Sequence, residues 1–209
     1  METGQNPRER YRVQVRDEVK RHAWGQIATA GVTALSLNAI AKEMGMSGPA
    51  LYRYFASRDE LITALIRDAY RSLADTVRAA HEPGIDVVGL AAVIRAWALE
   101  DPHRYLLIYG TPVPGYHAPD EITAISNEIL AVLLEVCADP SEGTEQTSFD
   151  VELAGNREWA GRLPASSTTV HRALSFWVRL QGVLSLELAG HFPMGFDPGL
   201  LLEEEVTRL

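Results

Sequence analysis

The chain has 209 residues, of which 46% are hydrophobic, and a formal net charge of −9 at pH 7; we therefore expect a folded protein with a substantial core. No uncharged apolar run reaches the roughly 18 residues that a membrane span needs, and the N-terminal region lacks the apolar core of a signal peptide. The single cysteine, Cys137, excludes an internal disulfide and a thiolate zinc cluster, so we expect a cytoplasmic protein without membrane association.

The first predicted element is an amphipathic helix that ends near Gly31. Its apolar positions are Val15, Val19, Ala23, Ile27 and Ala30. A basic arm and first turn are formed by Arg8, Arg10, Arg12 and Arg16. Such a segment can enter the minor groove of DNA, with Arg8 and Arg10 as the contacts. A frayed, charged terminus is the default interpretation of such a segment.

Residues 36–55, SLNAIAKEMGMSGPALYRYF, contain two short helical patterns around a turn at 45–47. Spacings of three and four place the apolar residues of the first pattern on one inward face, with Ser36 as the N-cap. These residues are Leu37, Ile40, Ala41 and Met44. In the second pattern Leu51 and Phe55 point inward together. The arrangement is typical of a helix-turn-helix.

The outward face of the second pattern is small at its start and cationic and phenolic at its end. It comprises Gly48, Tyr52 and Arg53, with Ala50 and Tyr54 more laterally. A helix in the major groove needs slim residues near the bases, and hydroxyl and guanidinium groups near the phosphates. This face therefore predicts a DNA-reading helix.

The charge distribution is compatible with DNA binding. Residues 1–60 contain nine Lys and Arg against seven acids, whereas the remainder contains ten against 21. Because phosphate repels the acidic remainder, the N-terminal segment would orient association, which should depend strongly on salt.

The rest of the chain also shows helical periodicity, and the predicted fold class is all-α. Ser57 opens a fourth helix that runs to about Ala80 and links two domains, residues 1–56 and 57–209. A fifth helix is predicted after the cap Asp86 and a short sixth around Pro102, followed by a Pro/Gly-rich connection at 111–119. The next predicted helix covers 120–138 and is followed by a polar loop at 139–150 and an uncertain segment around Trp159. The last two predicted helices cover 167–189 and 198–209.

The helix at 167–189 has more apolar positions than one buried stripe requires. They are Ala173, Leu174, Phe176, Trp177, Val178, Leu180, Val183, Leu184, Leu186 and Leu188. One face can pack on its own core. The other face predicts packing against the same helix of a second copy of the chain. Together with residues 198–209 of both copies, these helices would form a four-helix interface about a two-fold axis. A central helix in a monomeric bundle is the alternative.

Residues 10–61 resemble the DNA-binding domain of the TetR family of transcriptional regulators, because SLNAIAKEMGMS, GPALYRYF and SRDEL occur at the family's spacing. The C-terminal half is similar to one TetR subgroup through DPHRYLLIYGTPVPGY and FWVRLQGVLSLELAGH. Where that subgroup often has a His-Gly pair, this chain has Gln181-Gly182. The resemblance implies an all-helical homodimer with a three-helix N-terminal helix-turn-helix domain and a C-terminal effector-binding and dimerisation domain.

The resemblance also implies a ligand-responsive regulator, most often a repressor. Its two heads would bind half-sites of a palindromic operator about 34–36 Å apart. A small-molecule effector would release the DNA by favouring a state in which the heads are splayed. An activator or a ligand-independent regulator is the alternative. A helical enzyme is a remote third interpretation, since no catalytic motif, metal-ligand spacing or cofactor fingerprint is present.

DNA contacts are carried over to the matching positions. Asn38 can reach an adenine edge or be an ordinary solvated amide, and Arg58 matches a position where the family often uses Lys to hold a phosphate. Ser36 and Ser47 can add phosphate contacts, but helix capping accounts for both serines equally well. For Gly48 a purely conformational role is favoured over a contact with DNA. The full predicted set is Ser36, Asn38, Ser47, Gly48, Pro49, Ala50, Tyr52, Arg53, Tyr54 and Arg58.

Four aromatic residues are the candidates for the effector pocket, although an aromatic at helical spacing more often belongs to the core. They are Trp97, Tyr105, Tyr109 and Phe176. Few cations accompany them, so we expect an apolar or amphipathic ligand. We expect neither a cofactor nor a metal ion.

Overall fold

The computed structural model describes residues 6–82, 84–138, 146–155 and 165–209. Regular structure within these ranges is helical throughout, which confirms the predicted all-α class. The α-helices are α1 (Pro7–Ala30), α2 (Leu37–Glu43), α3 (Gly48–Leu51), α4 (Arg58–His81), α5 (Val87–Glu100), α6 (Pro102–Tyr109), α7 (Asp120–Val136), α8 (Ser148–Gly155), α9 (Ser167–Leu188) and α10 (Pro198–Thr207), and a 3-10 turn covers Val32–Ala34. No described helix combines the length and apolar character that crossing a membrane requires.

The chain divides into two compact units. The first contains Met1–Ala69 and His103–Pro119, and the second contains Tyr70–Pro102 and Asp120–Leu209. The division falls inside α4, so the first half of this helix belongs with the helix-turn-helix. The domain boundary expected between residues 56 and 57 assigns all of α4 to the C-terminal part, and it stays a prediction.

The core of the first unit follows the predicted apolar stripes. Buried side chains are contributed by Val15, Val19, Ala23, Ile27, Leu37, Ile40, Ala41, Leu51 and Phe55. Two expectations are wrong. Ala30 is exposed because it lies in the last turn of α1, where residues 28–30 all face solvent, and Met44 is only half-buried at the C-cap of α2.

Polar caps define where several helices begin. The Ser57 hydroxyl accepts from the Glu60 N–H at 3.0 Å, and the Glu60 carboxylate accepts from the Ala56 N–H at 2.6 Å. This reciprocal arrangement starts α4 where the sequence predicted. Asp86 caps α5 through the Gly89 N–H at 2.8 Å, as expected.

In the second unit α9 packs against α5, α7, α8 and α10. Its bounds confirm the helix predicted at 167–189, and α7 likewise confirms the apolar helix from residue 120. The second half of α4 is tied to α7 by Arg71, whose guanidinium donates two hydrogen bonds of 2.7 Å to Glu128. These bonds lower the pKa of the Glu128 carboxyl.

The polar loop predicted at 139–150 is wrong at its C-terminal end, because α8 begins at Ser148. Asp150 is buried and accepts from the Thr147 N–H at 2.8 Å and hydroxyl at 2.6 Å, which stabilises the first turn. His171 of α9 contacts the same carboxylate at 2.9 Å. The start of that loop and the segment around Trp159 lie outside the described residues.

Candidate DNA-binding surface

The turn between α2 and α3 is built from backbone hydrogen bonds. The Met46 N–H donates to the Ala41 carbonyl at 2.8 Å, and Gly45 adopts φ +66°, a left-handed conformation that favours glycine. Ser36 caps α2 by accepting from the Ala39 N–H at 3.3 Å. Ser47 is the N-cap of α3, but its side chain makes no capping hydrogen bond.

The recognition helix is shorter than expected. The pattern predicted a helix through Phe55, but α3 ends at Leu51 and the next three residues form turns. The N–H groups of Tyr54 and Phe55 both donate to the Leu51 carbonyl, at 2.8 and 3.2 Å. Arg16 of α1 donates to the Tyr54 carbonyl, which would otherwise serve a continuing helix.

The side chains predicted to touch DNA differ in exposure. Tyr52 is 43% exposed, and Arg53, Pro49 and Asn38 are also exposed. Half-buried positions are Ser36, Gly48, Ala50, Tyr54 and Arg58. The structure thus leaves the ring of Tyr52 and the guanidinium of Arg53 open to solvent on the turn that follows α3.

Gly48 lies close to the side chain of Asn38. A Cβ at this position would lie 3.3 Å from Asn38 Oδ1, the end of an exposed side chain that a small shift would move away. The φ of Gly48 lies outside the left-handed region, so its backbone conformation does not require glycine. The conformational role considered for Gly48 stays a prediction.

Arg58 is engaged inside the first unit. Its Nε donates to the Leu35 carbonyl at 3.2 Å and its Nη2 to the Val32 carbonyl at 2.7 Å. The guanidinium therefore joins the first turn of α4 to the connection between α1 and α2. The third nitrogen, Nη1, lies 3.9 Å from Asp59. The phosphate contact predicted for Arg58 stays a prediction.

The nine lysine and arginine residues among residues 1–60 fall into two groups. Arg16, Lys20, Arg21 and Arg58 are paired with acids. Burial opposes the charge of Lys20, but its hydrogen bonds to Asp17 and Asp68 outweigh this and raise its pKa. A second group makes no ion pair within the described part of the chain and consists of Arg8, Arg10, Arg12, Lys42 and Arg53. Their charge remains available for phosphate.

The N-terminal arm is shorter than the sequence suggested. Asn6 caps α1 by accepting from the Arg8 N–H at 3.2 Å, with Pro7 in the first turn. Arg8 and Arg10 are thus part of α1, and the first five residues of the arm lie outside the described residues. Arg8, Arg12 and Arg16 recur every four residues and share one face of α1.

The four candidate effector contacts are divided between the two units. Tyr105 is buried and its ring centroid lies 5.5 Å from that of Tyr109, both in the first unit. Trp97 and Phe176 are buried in the second unit, where the Trp97 Nε1–H donates to the Ser72 hydroxyl at 3.1 Å. Their assignment as ligand contacts stays a prediction.

Neither of two grooves that lie among the described residues is lined by any of the four aromatics. One of about 400 Å³ lies between α1 and α2. The other, of about 260 Å³, lies between α5 and α10 and is walled mainly by alanine, valine and leucine side chains. Nowhere in the described ranges do three His, Cys, Asp or Glu side chains cluster so as to hold a metal ion.

Comparisons with known proteins decide the family. Residues 21–65 match the family described as bacterial regulatory proteins, tetR family, and residues 87–209 match the tetracyclin repressor-like C-terminal domain. Two HTH-type transcriptional regulators, Mb1846 of Mycobacterium bovis and Rv1816 of Mycobacterium tuberculosis, are 36% identical over 201 residues, which cover 88% of this chain and 85% of each relative. The chain belongs to the TetR family of transcriptional regulators. The resemblance seen in the sequence is thereby confirmed.

Solved structures agree with this assignment. The crystal structure of the putative regulatory protein SCO4313 is 65% identical, with a TM-score of 0.88 over 97% of this chain and 98% of that one. The fatty acid degradation regulator FadR from Bacillus halodurans is 15% identical, with a TM-score of 0.61 over 91% and 95% of the chains. The latter shows a common fold alone. This TetR-family protein is a transcriptional regulator with a DNA-binding helix-turn-helix and a C-terminal helical domain.

Sequence reasoning missed the internal roles of Arg16 and Arg58. Arg16 follows Arg12 by four residues on the face that carries the buried stripe, which was a usable signal that it points toward the core. Arg58 carried no such signal, because its two carbonyl acceptors lie 23 and 26 residues upstream.

Proposed function

We propose that this TetR-family regulator is a repressor that binds a palindromic operator as a homodimer and releases it when a small molecule binds the C-terminal domain. The observation that carries the DNA-binding part is the exposure of Tyr52 and Arg53 on the turn after α3. The same unit contains further cations that make no ion pair within the described ranges, namely Arg8, Arg10, Arg12 and Lys42. Phosphate contacts from such cations would supply most of the salt-dependent affinity.

The contacts proposed for DNA are those predicted from the sequence. Asn38 and the small residues at the start of α3 face base edges, while the hydroxyl and guanidinium groups face phosphates. The set is Ser36, Asn38, Ser47, Gly48, Pro49, Ala50, Tyr52, Arg53, Tyr54 and Arg58. The exposure of Asn38, Pro49, Tyr52 and Arg53 supports their inclusion.

Dimerisation is proposed through α9 and α10. On α9, Val178 is 67% and Leu186 46% exposed, and Gly182 adjoins open space; on α10, Leu200 is 65% exposed. Arg179 of α9 donates to the Glu205 carbonyl, which holds the two helices together. Large apolar side chains on two joined helices form a patch of the kind that mediates association.

The effector is proposed to be apolar or amphipathic and to contact Trp97, Tyr105, Tyr109 and Phe176. Three of these residues are buried and all are aromatic, which supports an apolar rather than a strongly charged ligand. To act, the ligand must bind the DNA-free conformation more tightly than the DNA-bound one. We propose that the protein binds both DNA and the ligand in the cytoplasm.

One experiment tests the DNA-binding proposal. A gel-shift assay with the DNA that flanks the protein's own gene should show specific retardation, and apolar compounds that raise the melting temperature should release it. Repression requires that reporter expression from this promoter rises when the gene is deleted. Absence of retardation at low ionic strength would refute operator binding, and a fall in reporter expression would indicate an activator.

A second experiment tests the dimer. Val178→Glu places a charge on the exposed face of α9, and we expect it to shift the protein to monomer in analytical ultracentrifugation at micromolar concentration. Val151→Glu is the matched control, since Val151 is 61% exposed on α8, outside the proposed interface. A monomeric wild type, or a Val178→Glu variant that dimerises like the control, would contradict the proposed interface.

A further inference from the structure

Arg16 lies on α1, but its side chain ends at the turn that follows α3. Its Nη1 donates to the Tyr54 carbonyl and reaches Glu60 Oε1 at 3.3 Å. Its guanidinium carbon lies 4.0 Å from the centroid of the Phe55 ring, within cation–π range. One side chain thus contacts the backbone, the buried aromatic anchor and the first turn of α4.

Glu60 extends this set of contacts. Its second carboxylate oxygen accepts from the Ala56 N–H at 2.6 Å, while its own N–H donates to the Ser57 hydroxyl. The segment from Tyr54 to Ser57 is therefore held from α1 by Arg16 and from α4 by Glu60. Tyr52 and Arg53 lie immediately before this segment.

We propose that Arg16 is a positioning residue for DNA reading, which fixes the turn carrying Tyr52 and Arg53 without itself touching DNA. This inference rests on the proposed DNA-binding function. A single nitrogen, Nη1, donates to both the Tyr54 carbonyl and the Glu60 carboxylate, while the guanidinium carbon lies over the Phe55 ring. A lysine ammonium lacks the planar group that stacks on an aromatic ring, so we expect it to replace the charge but not the contact with Phe55.

Arg12 provides a matched control within the same helix. It lies one turn before Arg16 on the same face of α1 and makes no ion pair in the described ranges. An arginine that neutralises a phosphate releases counterions, so its removal lowers the salt dependence of binding. An arginine whose charge is used inside the protein leaves that dependence unchanged.

The binding test uses the full chain and two duplexes of equal length. One carries a site selected by the wild-type protein from a randomised library, and the other is unrelated. Arg16→Ala should weaken binding to the selected duplex by about tenfold, the order expected for one charge-assisted hydrogen bond. Its affinity for the unrelated duplex and its salt slope should equal those of the wild type, because Arg53 on a loosened turn can still neutralise a phosphate and only the register needed for base contacts is lost. Arg53→Ala, which removes a proposed phosphate contact, should instead lower the slope for both duplexes by about 0.9.

Several outcomes would overturn the proposal. A reduced slope for Arg16→Ala would make Arg16 a phosphate ligand, and equal weakening on both duplexes would indicate a general loss of folding. Full recovery of binding by Arg16→Lys would show that a positive charge at this position suffices for DNA binding and that the shape of the guanidinium is not needed.

Amide hydrogen exchange in the DNA-free protein gives an independent readout. Exchange at residues 52–57 should be faster in Arg16→Ala and in Glu60→Gln, and unchanged in Arg12→Ala. Unchanged exchange in Arg16→Ala would refute the positioning role whatever the DNA assay shows. If the wild type selects no duplex at all, the DNA-binding proposal fails, while the exchange experiment still decides whether Arg16 orders the turn.

Discussion

Replacement of Arg58 should separate a structural role from a DNA-binding role. In the structure its guanidinium donates to the carbonyls of Val32 and Leu35, and its side chain is 34% exposed. Hydrogen bonds from a charged donor contribute about 1.5–3 kcal/mol each, but here the partial exposure lets water replace part of each bond. We therefore expect Arg58→Ala to lower the free energy of unfolding by about 2 kcal/mol.

Arg58→Lys should recover about half of that loss, because one ammonium keeps the charge but lacks the fork that serves two carbonyls. Urea denaturation of both variants measures the stability. DNA titrations at several salt concentrations then test the phosphate contact, since its loss lowers the slope by about 0.9 in Arg58→Ala but not in Arg58→Lys. Wild-type stability in Arg58→Ala would refute the structural reasoning.

Three further predictions each concern one part of the molecule. Tyr52→Phe combined with Arg53→Ala should lower the salt slope of operator binding by about 0.9 or more and leave dimerisation intact; an unchanged slope would contradict the phosphate assignments. Burial raises the pKa of Cys137 to about 11, so iodoacetamide should modify it at pH 8 only after denaturation, and rapid modification of the native protein would contradict its burial. Hydrogen bonds from Thr147, together with His171, lower the pKa of Asp150 in the folded state. The ionised Asp150 carboxylate therefore stabilises the folded state at neutral pH, and this stabilisation is lost as the pH falls below about 4. Asp150→Asn should be less stable than the wild type at pH 7, with a smaller difference at pH 3; an equal difference at both values would exclude this linkage.

Helix identity could be predicted wherever local rules act alone. The caps Ser57 and Asp86 and the apolar period of α9 depend on neighbours within one or two turns, and their predictions are confirmed. The length of α3 was mispredicted because the spacing of Leu51 and Phe55 is the same in a continuing helix and in the turns that the structure shows at residues 52–54. The start of α8 was missed because a polar, acidic stretch is compatible with either a loop or a capped helix.

The same distinction applies to the candidate site. The exposure of Tyr52 and Arg53 was predicted from helical spacing and is observed, although both residues lie on the turn after α3 and not in the helix. Spacing does not tell whether a guanidinium faces solvent or a distant carbonyl, and four of the nine cations in the first sixty residues prove to be paired internally. The phosphate-binding potential of the surface is thus carried by fewer side chains than its composition implies.

Charged side chains anchor each half of helix α4, which runs from Arg58 to His81, within its own unit. In the first unit Arg58 donates to the Val32 carbonyl and Lys20 to Asp68, whereas in the second unit Glu128 of α7 accepts from Arg71 and Arg78. The acidic partners of Lys20, Arg71 and Arg78 lie 48, 57 and 50 residues away in the chain. Helical spacing relates residues three or four positions apart, so it predicts the course of α4 but not the contacts that anchor it.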